Sequence, residues 1–166
     1  MLTGGTAVLA SWVTSWGNAR AAKVQAEATT RAGRQDRIRE LRRAAYLELM
    51  EQAHLTGQLY WRVGDAYVQL SEHDAWLARI QELRNELRTA FDFMMRSCRI
   101  VVLEGPQAVA EAARAVQDST QQANWALWRV ALDDEDARER FNAAIEEFGR
   151  RLETLIQTAQ GAMAMP

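Results

Sequence analysis

Proline is almost missing from this chain: there are two in 166 residues, Pro106 and Pro166. Proline lacks a backbone N–H and clashes with the preceding turn, so it ends or kinks helices. With one internal proline, nothing in the sequence forbids very long helices. Cysteine is scarcer still. The single Cys98 excludes an intramolecular disulfide, and its setting in FDFMMRSCRIVV reads as a small core residue, not a reactive thiol. That usage fits a reducing compartment. Lys23 is the one lysine, so arginine supplies nearly all the positive charge. Histidine occurs twice, at His54 and His73, which leaves few ways to place a base beside a Ser, Cys or Thr nucleophile. No G-x-S-x-G, phosphate-binding loop, G-x-G-x-x-G or H-E-x-x-H pattern occurs. The reading is therefore a non-enzyme, with no catalytic residues, no cofactor and no small-molecule substrate.

What is present is helix-forming. Ala, Leu, Arg, Glu and Gln dominate, and 48% of the residues are hydrophobic, enough to bury a core in a chain of this length. The net charge of −2 and a pI near 5.8 argue against a nucleic-acid partner, which calls for a strongly basic domain. That balance hides a split. No residue from Leu2 to Ala19 is charged. The next 24 residues hold eight basic side chains (Arg20, Lys23, Arg31, Arg34, Arg37, Arg39, Arg42 and Arg43) against Glu27, Asp36 and Glu40, a net +5.

An apolar segment followed by cationic residues has the pattern of a helix leaving a membrane. No basic residue precedes the apolar run, so it does not read as a secretory signal peptide. Its roughly 18 residues include Thr, Ser and Gly, which makes it marginal against the ~20 apolar residues a spanning helix needs. On this reading Val8, Leu9, Trp12, Val13 and Trp16 insert, while Arg20, Lys23, Arg31, Arg34 and Arg37 meet anionic headgroups. The bulk of the chain then lies on the cytoplasmic side of the inner membrane. The competing reading is a soluble helix that packs on protein.

From Gln35 onward the periodicity is helical. Ile38, Leu41, Ala45, Leu49, Ala53, Thr56, Tyr60, Val63, Tyr67 and Leu70 recur at steps of three and four. Ser71, with Asp74 three residues on, is the expected cap of a second helix whose stripe is Leu77, Ile80, Leu83, Leu87, Ala90, Phe91, Met94, Cys98 and Val101. Gly105 is expected in the left-handed C′ position and Pro106 at the first position of a third helix. That helix has small core positions (Ala113, Thr120, Ala123), which predicts close helix packing. Asp133, with Asp136 three residues on, is expected to cap a fourth helix ending near Gly161, with residues 162–166 frayed. The predicted organisation is an N-terminal apolar helix over 1–33 and an all-α antiparallel bundle of about four helices over 34–161.

Two constellations remain. Glu51-x-x-His54 has half the spacing of a carboxylate-bundle metal site, but the other half is missing, so no metal ligand is assigned. Trp61, Trp76, Trp125, Trp128, Tyr60 and Tyr67 are many aromatics for this size. They read either as packing or as an anchor for a partner, with Trp125 and Trp128, one turn apart, as the partner-binding pair.

The apolar start with Gly, Thr and Trp, the Arg/Ala/Gln-rich helix and the segment RRAAYLELMEQAH resemble small uncharacterised actinobacterial proteins, over residues 2–54. The resemblance implies a membrane-anchored cytoplasmic helical domain and no activity. The expected role is a membrane-associated helical scaffold or adaptor that binds a protein partner. The alternatives are a soluble subunit of a phage or secretion-type assembly, self-associating through its N-terminal helix, and a carboxylate-bundle metalloprotein.

Overall fold

The computed structural model describes residues 6–70, 72–132 and 136–164, with side chains described from Gln25 onward except at 26–28, 30 and 32. The described residues form four helices: α1 (Thr6–Gln69), α2 (His73–Glu104), α3 (Gln107–Val130) and α4 (Ala137–Ala164). The all-α class follows from apolar residues recurring at helical steps and the shortage of proline. The chain divides into two compact units, Met1–Leu41 and Arg42–Pro166.

The second unit is an antiparallel four-helix bundle. One end is marked by Tyr46 of α1, whose ring reaches the α2–α3 junction at Gly105, and by Arg42 Nε, which donates to the Glu104 carbonyl at 2.6 Å. At the other end Tyr67 of α1 packs against Trp76 of α2 with ring centroids 5.3 Å apart, and Arg138 of α4 lies 4.7 Å over the Tyr67 ring. Chain direction therefore alternates helix by helix. Arg62 of α1 makes a two-pronged ion pair with Glu86 of α2 at 2.6 and 3.2 Å.

The core gathers most of the predicted stripes. Leu49, Ala53, Thr56, Tyr60 and Val63 of α1 are buried, as are Ile80, Leu83, Leu87, Met94, Cys98 and Val101 of α2. Burial of each Leu, Ile or Val among these contributes about 1.5–3 kcal/mol. From α3, Val109, Ala113, Val116, Thr120, Ala123, Leu127 and Val130 all face inward. The alanines suit close packing of its backbone, and α3 packs against both α4 and α2. Phe141 and Phe148 of α4 are buried and meet the Tyr60 ring edge-on, at 5.9 and 5.5 Å.

Several local expectations are corrected. The first two members of the α1 stripe, Ile38 and Leu41, are 40% and 62% exposed, although the periodicity continues through them. Gly105 is extended (φ −82°, ψ 161°), not left-handed, because the proline that follows excludes the helical region for its neighbour. Glycine is needed at this position for another reason. A Cβ there would sit 2.6 Å from the Val101 carbonyl oxygen and 3.3 Å from the Tyr46 hydroxyl. Pro106 is the N-cap of α3, one residue before the helix. Glu72 occupies the N-cap of α2 and makes no side-chain cap bond; Ser71 lies outside the described residues. Asp133 also lies outside them, and α4 begins directly after Asp136, whose carboxylate pairs with Arg140 at 3.1 Å. At its other end α4 runs past Gly161 to Ala164. A helical glycine costs about 1 kcal/mol, and the packing of Ala159 and Ala162 against the core offsets it.

Candidate interaction surfaces

The aromatic residues separate into two groups. Tyr60 is 1% exposed, and its hydroxyl donates to Asn124 Oδ1 at 2.9 Å, with the Thr120 carbonyl at 3.2 Å. Burial pushes that phenol well above its ordinary range. Tyr67 and Trp76 are half-buried and meet at a 45° tilt at one end of the bundle, with the His73 ring stacked 5.9 Å from Trp76. Burial raises the Tyr67 hydroxyl too, against the opposing pull of Arg138. These three are packing residues.

Trp125 and Trp128 are different. They are 54% and 45% exposed near the C-terminal end of α3, and Leu132, one turn beyond Trp128, is 61% exposed. Residues 125 and 128 are one turn apart and share one side of α3, while Leu132 lies in the turn just past its end. The Arg129 guanidinium lies 5.2 Å over the Trp125 ring and screens part of that face. A large ring left half in water gains by docking, which is why tryptophan is enriched at binding hot spots. The sequence did not single out Trp61 as more exposed than its neighbours, yet it stands 76% exposed on α1, with Val68 one heptad on at 85%. The signal lay in its position: Trp61 follows Tyr60 immediately, so a helix that buries one turns the other outward.

A second surface is α1 before the bundle. Every residue from Gly33 to Leu41 is exposed. Arg31, Arg34 and Arg37 of the proposed headgroup set lie along this helix and are exposed, together with Arg39. The side chains of Arg20 and Lys23, and those of Val8, Leu9, Trp12, Val13 and Trp16, lie outside the described residues. Among the described residues no helix is long and apolar enough to cross a membrane. The physical reason is composition: Thr, Ser and Gly dilute the apolar run, and arginines begin before it reaches full length.

The third candidate is the Glu51-x-x-His54 pair. Glu51 and His54 both face solvent, and the His54 ring nitrogen Nε2 sits 3.1 Å from Gln58 Nε2 on its own helix. A bundle metal needs inward carboxylates, and among the described residues no group of three or more His, Cys, Asp or Glu side chains gathers to hold one. Cys98 is buried, with its thiol 3.4 Å from the Ala113 carbonyl, and burial pushes its pKa up, away from a reactive thiolate. Glu147 takes both Arg150 and Arg151, each at 2.6 Å, and these bonds hold its carboxyl below the usual range. That is surface pairing on one helix.

No protein-family model matches the chain, and no curated protein or solved structure matches it either.

Proposed function

We propose that the chain is a non-catalytic helical scaffold or adaptor. Its bundle offers a protein partner the half-exposed Trp125 and Trp128, and its cationic α1 segment lies on an anionic membrane surface. The observation that supports it most is the stretch Gly33–Leu41. It is helical and wholly exposed, carries Arg34, Arg37 and Arg39 against Asp36 and Glu40, and leaves Ile38 and Leu41 uncovered. A cationic helix with uncovered apolar residues lowers its free energy by lying at a lipid–water boundary. The association is peripheral, in keeping with the dilute hydrophobicity of the residues before it.

The test is co-sedimentation of the full chain with phosphatidylcholine vesicles, with and without phosphatidylserine. Binding is expected with phosphatidylserine and is expected to weaken at high salt, since screening shortens the reach of the arginines. Each basic residue near the surface contributes about 1 kcal/mol, so R34E/R37E is expected to bind at least roughly thirtyfold more weakly. Equal binding to neutral vesicles, or none to either, refutes the membrane part.

A second reading rests on the same uncovered side chains. Ile38 and Leu41 would pack between copies of the chain in a larger assembly. Light scattering after size exclusion separates the two: a concentration-dependent oligomer that I38S/L41S dissolves favours the assembly.

A further inference from the structure

Between α2 and α3 runs an open groove of about 280 Å³. Its apolar lining comes from Leu87, Leu127 and Phe91, and its polar lining from Gln81, Arg84, Asn85, Arg88, Gln121 and Asn124. No acid lines it. This is unusual for its surroundings, because Arg42–Pro166 holds 14 arginines against 19 acids, a net −5. Five of the bundle's arginines sit on carboxylates: Arg62 on Glu86, Arg79 on Glu82, Arg140 on Asp136, and Arg150 and Arg151 on Glu147; others lie over rings, as Arg96 does on Phe93 and Arg138 on Tyr67. Arg84 and Arg88, one turn apart on α2, have no carboxylate partner among the described residues.

The hydrogen-bond directions sharpen this. Arg84 Nη1 donates to Gln81 Oε1 at 3.1 Å, and Gln81 Nε2 donates to Asn85 Oδ1 at 3.4 Å. From beneath, the buried Tyr60 hydroxyl donates to Asn124 Oδ1 at 2.9 Å. Three lining amides therefore have their acceptor oxygens engaged inside the protein. An amide whose oxygen is engaged has its NH₂ left to offer. Asn85 and Asn124 thus present N–H donors beside two guanidiniums that can only donate. A surface of donors next to apolar side chains matches a ligand that brings acceptors and an apolar body.

We infer that the α2–α3 groove binds an amphiphilic carboxylate, its anionic head on Arg84, Arg88 and the Asn85 and Asn124 amides and its apolar part on Phe91, Leu87 and Leu127. The head comes either from a free organic acid or from an acidic side chain flanked by apolar residues in another protein. This site is independent of the scaffold reading, since it involves neither α1 before the bundle nor the exposed tryptophans.

The test is a nitrogen-15 NMR titration of the full chain, following arginine Nε–H and side-chain amide signals, with hexanoate, with hexanamide and with the peptide acetyl-Leu-Glu-Leu-amide. Saturable shifts at Asn85, Asn124 and the two arginines are expected with hexanoate and are expected to be absent with hexanamide. R84Q and R88Q are each expected to weaken binding about tenfold, the size of one charge-assisted bond at a part-exposed site. Asn124→Asp keeps the acceptor for Tyr60, replaces the donors with acceptors, and is expected to abolish binding while the circular dichroism spectrum and melting curve show the fold retained. A tighter response to the peptide assigns a protein segment as the source of the head; a tighter response to hexanoate assigns a free acid. An equal response to hexanamide, no saturable response to either carboxylate, or an unchanged affinity in R84Q/R88Q overturns the proposal.

Discussion

Removing one oxygen atom from the centre of the bundle tests how its first helix is tied to its third. Tyr60 is buried, meets Phe141 and Phe148 edge-on, and uses its hydroxyl on Asn124 and the Thr120 carbonyl. Tyr60→Phe keeps the ring, its area and both aromatic contacts, so the loss is confined to the hydrogen bond. A neutral bond contributes about 0.5–1.5 kcal/mol net, and a buried acceptor left unpaired costs about 1–3 kcal/mol. Asn124 is half-buried and can turn its oxygen toward water, and the Thr120 carbonyl lies within α3. The lower part of that range therefore applies, about 1–2 kcal/mol. For a chain of this size that corresponds to a melting point lower by roughly 2–8 °C. The assay is urea unfolding followed by circular dichroism, with the slope against urea unchanged because the buried area is unchanged. A double-mutant cycle with Asn124→Ala isolates the pair, and a coupling of about 1 kcal/mol is expected. If Tyr60→Phe costs less than about 0.3 kcal/mol, or the cycle closes to zero, the hydroxyl is a passenger and the account of the core is wrong.

Three further outcomes follow from contacts already described. Gly105→Ala puts a Cβ against the Val101 carbonyl and Tyr46, and it is expected to destabilise by at least about 1 kcal/mol in the same urea assay; a neutral result removes the close-approach argument. Iodoacetamide is expected to modify Cys98 at least ~100-fold more slowly in the native chain than in urea, because the thiol must wait for opening of the core; mass spectrometry after timed quenching reads the difference, and comparable rates contradict its burial. The Glu147 carboxyl is expected to titrate below an ordinary glutamate in a carbon-13 pH series and to move up in Arg150→Ala and Arg151→Ala. The sign is that of a depressed acid: its contribution is present above the unfolded pKa and fades as pH falls through the folded one.

The bundle was legible because period and burial agree. Ile80, Leu83, Leu87, Met94, Cys98 and Val101 recur at helical steps, and all are buried. Ile38 and Leu41 obey the same rule and are not, since a stripe states which side of a helix is apolar and leaves open whether anything covers it. Junction details were less readable. The Gly105-Pro106 pair marked a boundary correctly, yet two rules competed there, the left-handed cap and the restriction before proline, and the second prevailed. The groove was also open to a reader of the sequence in part. Gln81, Arg84, Asn85 and Arg88 fall at helical spacing and form an acid-free face on an acidic bundle. The missing half was Asn124, whose amide is oriented by a tyrosine 64 residues away.

The hydroxyls of Thr56, Ser97, Ser119 and Thr120 are buried, and each returns its proton to a carbonyl of its own helix: Gln52, Phe93 and, for the last two, Val116. Bonds of this kind travel with the helix that makes them, so they stay intact if that helix slides one turn along its neighbour. These four hydroxyls therefore do little to fix axial alignment, and the task falls to the few bonds that cross between helices, Tyr60 on Asn124 and Arg62 on Glu86, and to volume, the alternation of alanine with Phe141, Phe148 and Leu127. A sequence with the same apolar pattern but levelled side-chain sizes would still make four helices, and they would settle in more than one offset.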